Sequence, residues 1–454
     1  MRSSAAALGL AVVFGFHGGA RAQAANPPAA PVLTLREAER RAEAQSPVLA
    51  AGLLGAAAAD ARVEENRAGL LPQVLLSASY KYGTGNRAYR IGTRPLPPAP
   101  FSLGPAPTTL YDYLNASATA TQLLYDFGQT TETWRASRAA ATGATLDAKA
   151  IRLAVLLDVR LAFFNALARR ELVQVAREDL ENQNRHLAQV AEMIQVKLRP
   201  PIDLAQAKAN VGASELRFIA AENDYALAKA DLARAMGGAD AGAAYDVAPE
   251  DYPPVPNEAE SPAALYARAG TSRLEIASAD LQIKAGELGL ASIRGTYLPS
   301  FHLVLSASDV GPLFDPYPFN WYNLRWNYSA GVTLTWPIFE GMRTVGRVRE
   351  ARALVDQARA SRELVDLSVR LEIERAQLTV GAAKSAVAVA EATCENARQQ
   401  LRLAEERYKA GAGTALELSD AQLAYTAAAA NRVQVRYQLA AARAQLTHAL
   451  GGTD

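Results

Sequence analysis

Residues Gly128–Arg199 read GQTTETWRASRAAATGATLDAKAIRLAVLLDVRLAFFNALARRELVQVAREDLENQNRHLAQVAEMIQVKLR, with no proline and one internal glycine, Gly143. Leu180, Leu187 and Ile194 recur at heptad spacing, and Leu153, Leu157, Phe164, Ala168 and Val175 step by about 3.5 residues on average, as in coiled-coil packing. As α-helix the stretch would be roughly 105 Å long at ~1.5 Å per residue, several times an ordinary globular helix. A compact enzyme domain has no room for such a rod.

The rod has an echo. Ile338-Phe339-Glu340-Gly341-Met342-Arg343-Thr344 aligns without gaps on Leu124–Thr130, and Leu446–Gly452 aligns on Leu232–Gly238. The offset is 214 positions in both cases (124 to 338, 232 to 446), which marks an internal duplication. Each copy reads as helix, strand, loop, strand, long helix, tight turn, return helix. Helices are expected over Leu33–Leu70, with a restart at Ser46-Pro47, and over Ala263–Tyr297.

In the first repeat, residues 23–240, strands are expected at about 73–82 and 113–124, the long helix at about 128–198 and the return helix at about 201–236. A proline-rich linker spans 241–262. The second repeat, 263–454, carries strands at about 300–308 and 327–337, a long helix at about 342–410 and a return helix at about 415–450.

The strands alternate. Val74, Leu76, Ala78 and Tyr80 oppose Gln73, Ser77, Ser79 and Lys81; Leu114, Ala116, Ala118 and Ala120 oppose Asn115, Ser117, Thr119 and Thr121. Phe301, Leu303, Leu305 and Ala307 oppose His302, Ser306 and Ser308, and Tyr328, Ala330, Val332, Leu334 and Trp336 oppose Asn327, Ser329, Thr333 and Thr335. Aromatics gather near the strand ends, among them Tyr80, Tyr113, Tyr125, Trp326, Tyr328 and Trp336, where membrane-spanning strands carry interfacial girdles.

Composition narrows the classes. The 454 residues are 50% hydrophobic with net charge +1, so bulk charge points neither to disorder nor to a polyanion partner. Arg2, the apolar Ala5–Phe16 and Ala20-Arg21-Ala22 form a cleavable export leader over residues 1–22, with no cysteine at the cleavage site for a lipid anchor. No later run of about 18 apolar residues suggests a transmembrane helix. The single cysteine, Cys394, precludes an internal disulfide and reads as a packed small residue. His186, His302 and His448 are isolated, with no metal-ligand spacing, and no phosphate loop, nucleophile elbow or dinucleotide fingerprint is present. Neither a cofactor, nor nucleic acid binding, nor enzymatic activity is expected.

Four strands per chain cannot close a barrel, which needs about eight. An exported chain with membrane-type strands therefore calls for several copies that pool their strands and leave no open edge in lipid. The rods would continue the barrel as a helical cylinder.

The sequence resembles the TolC-like outer membrane efflux factor family over essentially the whole mature chain. The residues that carry the resemblance are Leu33-Thr34-Leu35-Arg36-Glu37-Ala38, Leu71-Pro72 and Leu298-Pro299, Tyr125-Asp126-Phe127-Gly128 with Phe339-Glu340-Gly341, Arg407-Tyr408-Lys409-Ala410-Gly411 and Ala449-Leu450-Gly451. The resemblance implies a mixed α/β membrane protein: a homotrimer whose three chains share a 12-stranded outer-membrane β-barrel, continued by a 12-helix periplasmic α-barrel. It implies a periplasmic adaptor and an inner-membrane pump of RND or ABC type as partners, and passive export of small toxic compounds. The same duct architecture also serves type I protein secretion. A rival from another class is a periplasmic coiled-coil spacer or adaptor.

The resemblance also implies a constriction at the periplasmic tip, onto which Tyr408, Glu417 and Asp420 map, with an arginine latch in some members where this chain has Gly413. Glu417 and Asp420 share a helix face. Thr414-Ala415-Leu416-Glu417 is also a capping box, which gives Glu417 a local role of its own. The other tip, Arg199-Pro200-Pro201, is stiffened by proline and, with Gly411 and Gly413, is a place for an adaptor to dock.

Overall fold

The structure, a computed structural model, describes residues 32–84, 110–196, 200–238, 245–256, 258–270, 272–312 and 326–452. The leader, Arg199 and most of both inter-strand loops lie outside the described residues. In chain order the elements are β1 (Val32–Leu33), α1 (Leu35–Gln45), α2 (Pro47–Ala68), β2 (Gln73–Thr84), β3 (Leu110–Tyr125), α3 (Gln129–Gln195), α4 (Pro201–Ala235), β4 (Asp246–Val247), α5 (Pro262–Ala269), α6 (Leu274–Gly295), β5 (Ser300–Pro312), β6 (Trp326–Thr335), α7 (Arg343–Lys409) and α8 (Ala415–Ala449).

The two rods, α3 and α7, are each 67 residues long, about 100 Å at ~1.5 Å per residue. Both start from the same device. Asp126 accepts hydrogen bonds from the Gly128 and Thr130 amides at 3.2 and 2.7 Å, and Glu340 accepts one from the Thr344 hydroxyl at 2.8 Å. The residues in between, Phe127-Gly128 and Gly341-Met342, all have positive φ.

Strands β2, β3, β5 and β6 form one antiparallel sheet in the order β2-β3-β5-β6. Its register sorts most side chains by polarity. Val74 pairs with Ala120, Leu76 with Ala118, Ala118 with Ala307 and Ala307 with Tyr328, all on one face. Ser77 pairs with Ser117, Ser117 with Ser308 and Ser308 with Asn327 on the other. Hydroxyls meet across the polar face, Ser77 to Ser117 and Ser306 to Ser329, each at 2.7 Å. On the apolar face Val74 and Leu76 are about three-quarters exposed, so this face has no core beneath it.

The helices form a layer in matching order. Next to the sheet, α2 packs on α3, α3 on α6 and α6 on α7. Further from it, α4 packs on α3, α3 on α8 and α8 on α7. Each rod thus runs through both tiers, and the shorter helices change places beside it. One lateral edge of the molecule is α2, β2 and α4; the other is β6 and α7.

The main core sits at the junction of the tiers. Phe163, Phe164 and Leu167 of α3 meet Leu33, Leu35 and Ala38 near α1, Leu232 of α4 and Tyr437 of α8. A second cluster joins Val369, Ile373 and Val380 of α7 to Leu265 of α5 and Leu446 of α8.

Two sequence expectations are corrected. The helix expected over Ala263–Tyr297 is broken into α5 and α6. Arg273, buried between them, donates to the His448 and Ala449 carbonyls that end α8 and pairs with Glu275 and Glu372. These bonds hold the break open. The proline-rich linker is also more than a spacer. Asp246–Val247 pairs in parallel with Val32–Leu33, Asp246 bonds Arg170, Asp251 bonds Arg436 at 2.9 Å, Tyr252 bonds Thr447 at 3.2 Å, and Glu258 pairs with Lys384 and Arg443. It is a strap that crosses the layer from α3 to α7.

Candidate functional site

Two regions carry the expected site residues: the sheet ends and the tip of the rods. On the sheet, Tyr80, Trp326 and Tyr328 lie on the exposed apolar face toward the inter-strand loops, and Tyr328 is 78% exposed. Tyr113 pairs with Lys81 and Pro312 in the ladder; its side chain lies outside the described residues. At the helical end Tyr125 stacks edge-on with Phe127 at 4.7 Å, and the Trp336 indole donates to the Tyr297 carbonyl at 3.0 Å. Exposed Ile338 and Phe339 join them. Trp326 and Trp336 are ten residues apart along the chain, roughly 33 Å of extended strand, which after the tilt of a barrel strand spans an apolar band about 25 Å tall.

The tip of α7 and α8 is built by glycine and a cap. Gly411 has φ 76° and its amide reaches the Tyr408 carbonyl at 3.1 Å. The Ala412 and Gly413 amides both bond the Arg407 carbonyl at 3.0 Å. A Cβ at Gly413 would lie 3.1 Å from the Tyr408 amide nitrogen and 3.2 Å from Arg407, so any side chain here would press on that backbone. Thr414 and Glu417 complete the capping box that starts α8.

The three residues expected at a constriction are separated by this geometry. Tyr408 is 2% exposed, packed among Val190, Ala207 and Leu418 and edge-on to His186 at 5.3 Å. It is an anchor inside the tip and lines no open surface. The Glu417 carboxylate turns back on the Thr414 amide at 3.4 Å and faces Arg407 at 3.8 Å. Asp420 is exposed. It lies sixteen residues before Arg436 on α8, about 160° around the helix at ~100° per residue, so it faces away from the strap that Arg436 bonds.

At the other tip, Pro200 precedes the first turn of α4, Pro201 occupies its first position and Asp203 lies in that turn. Gly413 is buried, whereas Gly411, Pro200 and Pro201 are exposed together with Val196, Ile202 and Leu416.

Above the tip lies a feature that sequence reasoning missed. Buried Asp179 on α3 accepts from Arg217 of α4 at 2.7 Å and from Thr426 of α8 at 3.0 Å, and buried Gln183 donates to Gln422 at 3.1 Å. Asn210 of α4 bonds Ser419 at 3.2 Å. The joint between the α3–α4 pair and the α7–α8 pair is therefore polar, and such layers fix register. Their heptad positions on α3 were visible, but nothing local named α8 as the partner.

Among the described residues no group of histidine, cysteine, aspartate or glutamate is arranged to hold a metal, and no helix is long and apolar enough to cross a membrane.

A duplicated chain that presents a membrane-type sheet and a two-tiered helical layer, both open at the same lateral edges, defines the class of outer-membrane ducts. The family model described as "Outer membrane efflux protein" matches residues 39–238 and 265–452, and the chain belongs to that family. Its family assigns it to the outer membrane. It is 25% identical over 292 residues to the outer membrane efflux protein BepC of Brucella suis, covering 64% of this chain and 61% of that one. It is 25% identical over 325 residues to the pyoverdine export outer membrane protein OpmQ of Pseudomonas putida, covering 68% and 64%. The chain thus spans less than two thirds of the length of both relatives. Its fold matches the Campylobacter jejuni CmeC outer membrane channel with a TM-score of 0.77 at 18% identity, over 92% of this chain and 85% of that one.

Proposed function

We propose that three copies of the chain close into one duct across the outer membrane and the periplasm, a 12-stranded barrel continued by a helical cylinder, and that it serves as the passive exit of a tripartite efflux system. The observation that carries this reading is the shared lateral order of sheet and helices. Edge strand β6 and edge helix α7 of one copy meet edge strand β2 and edge helices α2 and α4 of the next, and all seams close together.

Exposed leucines support the seam. Leu364, Leu371, Leu378, Val389 and Leu403 fall on one face of α7, and Ile202, Leu216, Ile219 and Leu227 on one face of α4. Two copies would give an eight-stranded barrel whose interior side chains fill it, yet the polar sheet face carries a lattice of serine, threonine and asparagine suited to water. Three copies leave room for an aqueous lumen.

The strap lies on one surface of the helical layer. An open passage requires that surface to be outside, which turns Asp420 inward, where three copies form an acidic ring at the tip. The exposed apolar ends at Val196, Ile202 and Leu416, with Pro200, Pro201 and Gly411, are the surface offered to a periplasmic adaptor, and through it to an inner-membrane pump of RND or ABC type. The cargo in this reading is small toxic compounds.

The test is fractionation followed by gel analysis. A detergent-requiring, heat-modifiable trimer in the outer membrane is expected, and loss of the protein should raise drug sensitivity. Recovery of the mature chain in the soluble periplasm would overturn the reading.

A further inference from the structure

His302 stands apart in the sheet. The register puts it on the polar face of β5, opposite Leu123 of β3 and Thr333 of β6. Its diagonal neighbours on that face are Thr121, Gly331 and Thr335, and along its own strand Ser300 and Val304. None of these is charged or titratable. Elsewhere on the same face the described side chains are hydroxyls, amides and a few aliphatics: Ser77, Ser79, Asn115, Ser117, Thr119, Ser306, Ser308, Asn327 and Ser329, interrupted by Leu75. Lys81, whose side chain lies outside the described residues, is at the far end of the face, roughly 30 Å away at ~3.3 Å per residue and well beyond a Debye length in physiological salt. Of the acids in the strands near that end, Asp309 pairs with Trp326 and Ala116 on the opposite, apolar face, and Asp112, whose side chain lies outside the described residues, pairs with Tyr82 at a position of that same register.

We propose that His302 is a specificity-determining residue of the pore: a proton-controlled filter at the helical end of the barrel that sets how strongly the lumen prefers cations. The inference rests on the trimeric duct proposed above. Closure places three imidazoles in one ring, on a wall whose other described side chains near that end carry no charge. Imidazole is the side chain whose charge changes between about pH 5 and pH 8. When the ring is neutral, it adds no charge to the path that leads to the carboxylate ring of Asp420 at the opposite end. When it is protonated, three positive charges stand in series with that ring. Rings of charge in a narrow aqueous path repel ions of like sign and set selectivity. Acidification therefore weakens the cation preference of the whole duct. The other described histidines cannot substitute for it. His186 is buried in the tip core beside Tyr408, and His448 is enclosed between Glu372 and the Arg273 cluster.

The experiment uses the full-length protein in planar bilayers under a KCl gradient, with reversal potentials read at about pH 8 and about pH 5.5. Wild type should lose roughly half or more of its cation-over-anion permeability ratio on acidification. His302→Gln should hold the high-pH ratio at both values, and His302→Lys should show the low ratio already at about pH 8. Asp420→Asn should lower the ratio throughout but keep the pH-dependent step. A wild-type ratio that does not move with pH, or a His302→Gln channel that shifts as wild type does, overturns the proposal. Absence of conductance from wild type as well as the variants would instead overturn the duct on which it rests. Heat-modifiable trimers on gels certify that each variant has assembled.

Discussion

Phe127 and Gly341 hold the same left-handed backbone conformation, φ 54° and 62°, at equivalent positions of the two repeats. The residues that follow, Gly128 and Met342, do the same at 91° and 66°. Each pair leads from a strand of the sheet into a rod. Glycine fills the second place in one repeat and the first in the other, so the duplication has kept the turn and let its residues vary.

Substitution at this turn should therefore be asymmetric. Gly341→Ala places a Cβ in a conformation that costs an L-residue about 1 kcal/mol or more, and should lower the thermal dissociation temperature of the assembled protein. Met342→Gly relieves the same conformation while loosening the unfolded chain, and should change stability by less than about 0.5 kcal/mol. Heat-dissociation gels of the two variants side by side check the pair.

Gly413→Ala should damage the tip locally. The added methyl meets the Arg407–Tyr408 backbone at 3.1–3.2 Å, where the backbone has little freedom to give. A cost of about 1–3 kcal/mol is expected, confined to the α7–α8 turn. Limited proteolysis should cut near Ala410–Ala412 faster than in wild type, while the barrel stays resistant.

The two tip carboxylates should behave differently in electrical recordings. Asp420→Ala is expected to reduce block of single-channel current by divalent cations several-fold, since in the proposed trimer it removes a ring of three charges. Glu417→Gln should leave the block nearly unchanged, because that carboxylate is turned back into its own helix cap. Unchanged block in Asp420→Ala would take Asp420 out of the constriction.

Acid should loosen the strap through Glu258. Burial alone would raise its pKa, but hydrogen bonds and charge from Lys384 and Arg443 outweigh burial and hold it below its ordinary value of 4.5. A carboxyl depressed in the folded state stabilises fully above its unfolded pKa, and the contribution is lost as pH falls through the lower, folded value. The thermal midpoint of wild type should thus exceed that of Glu258→Gln at neutral pH, and the gap should close as pH falls through the folded value, below the ordinary 4.5. A gap that persists in acid would show that the clamp is not ionic.

Most of the fold was legible because it is periodic. Strand faces follow from strict alternation, as in Ser77, Ser79 and their partners Ser117 and Asn115, and the long helices follow from heptads without proline. The duplication supplied the element order. Hidden from the sequence were contacts between distant segments. Asp179 meets Thr426 across 247 positions, and Arg273 caps a helix that ends 176 positions later. The resemblance alone assigns Tyr408 to the constriction; its packing beside Val190 and Leu418, on two other helices, puts it in the tip core. In the sequence the strap shows only as a proline-rich linker, since Asp246, Asp251, Tyr252 and Glu258 become recognisable only when Arg170, Arg436, Thr447 and Arg443 are brought beside them.

The change of neighbours along each rod has a consequence for how such a protein can evolve. Beyond the strap, α3, α4, α7 and α8 run side by side to a common tip. An insertion in one alone would throw every later contact out of register, including the polar layer at Asp179 and Gln183. Lengthening must add matching heptads to all four helices at once. The length from sheet to tip is therefore a ruler fixed by construction, and a lineage that needs a different reach is better served by altering the partner at the end than the rod itself.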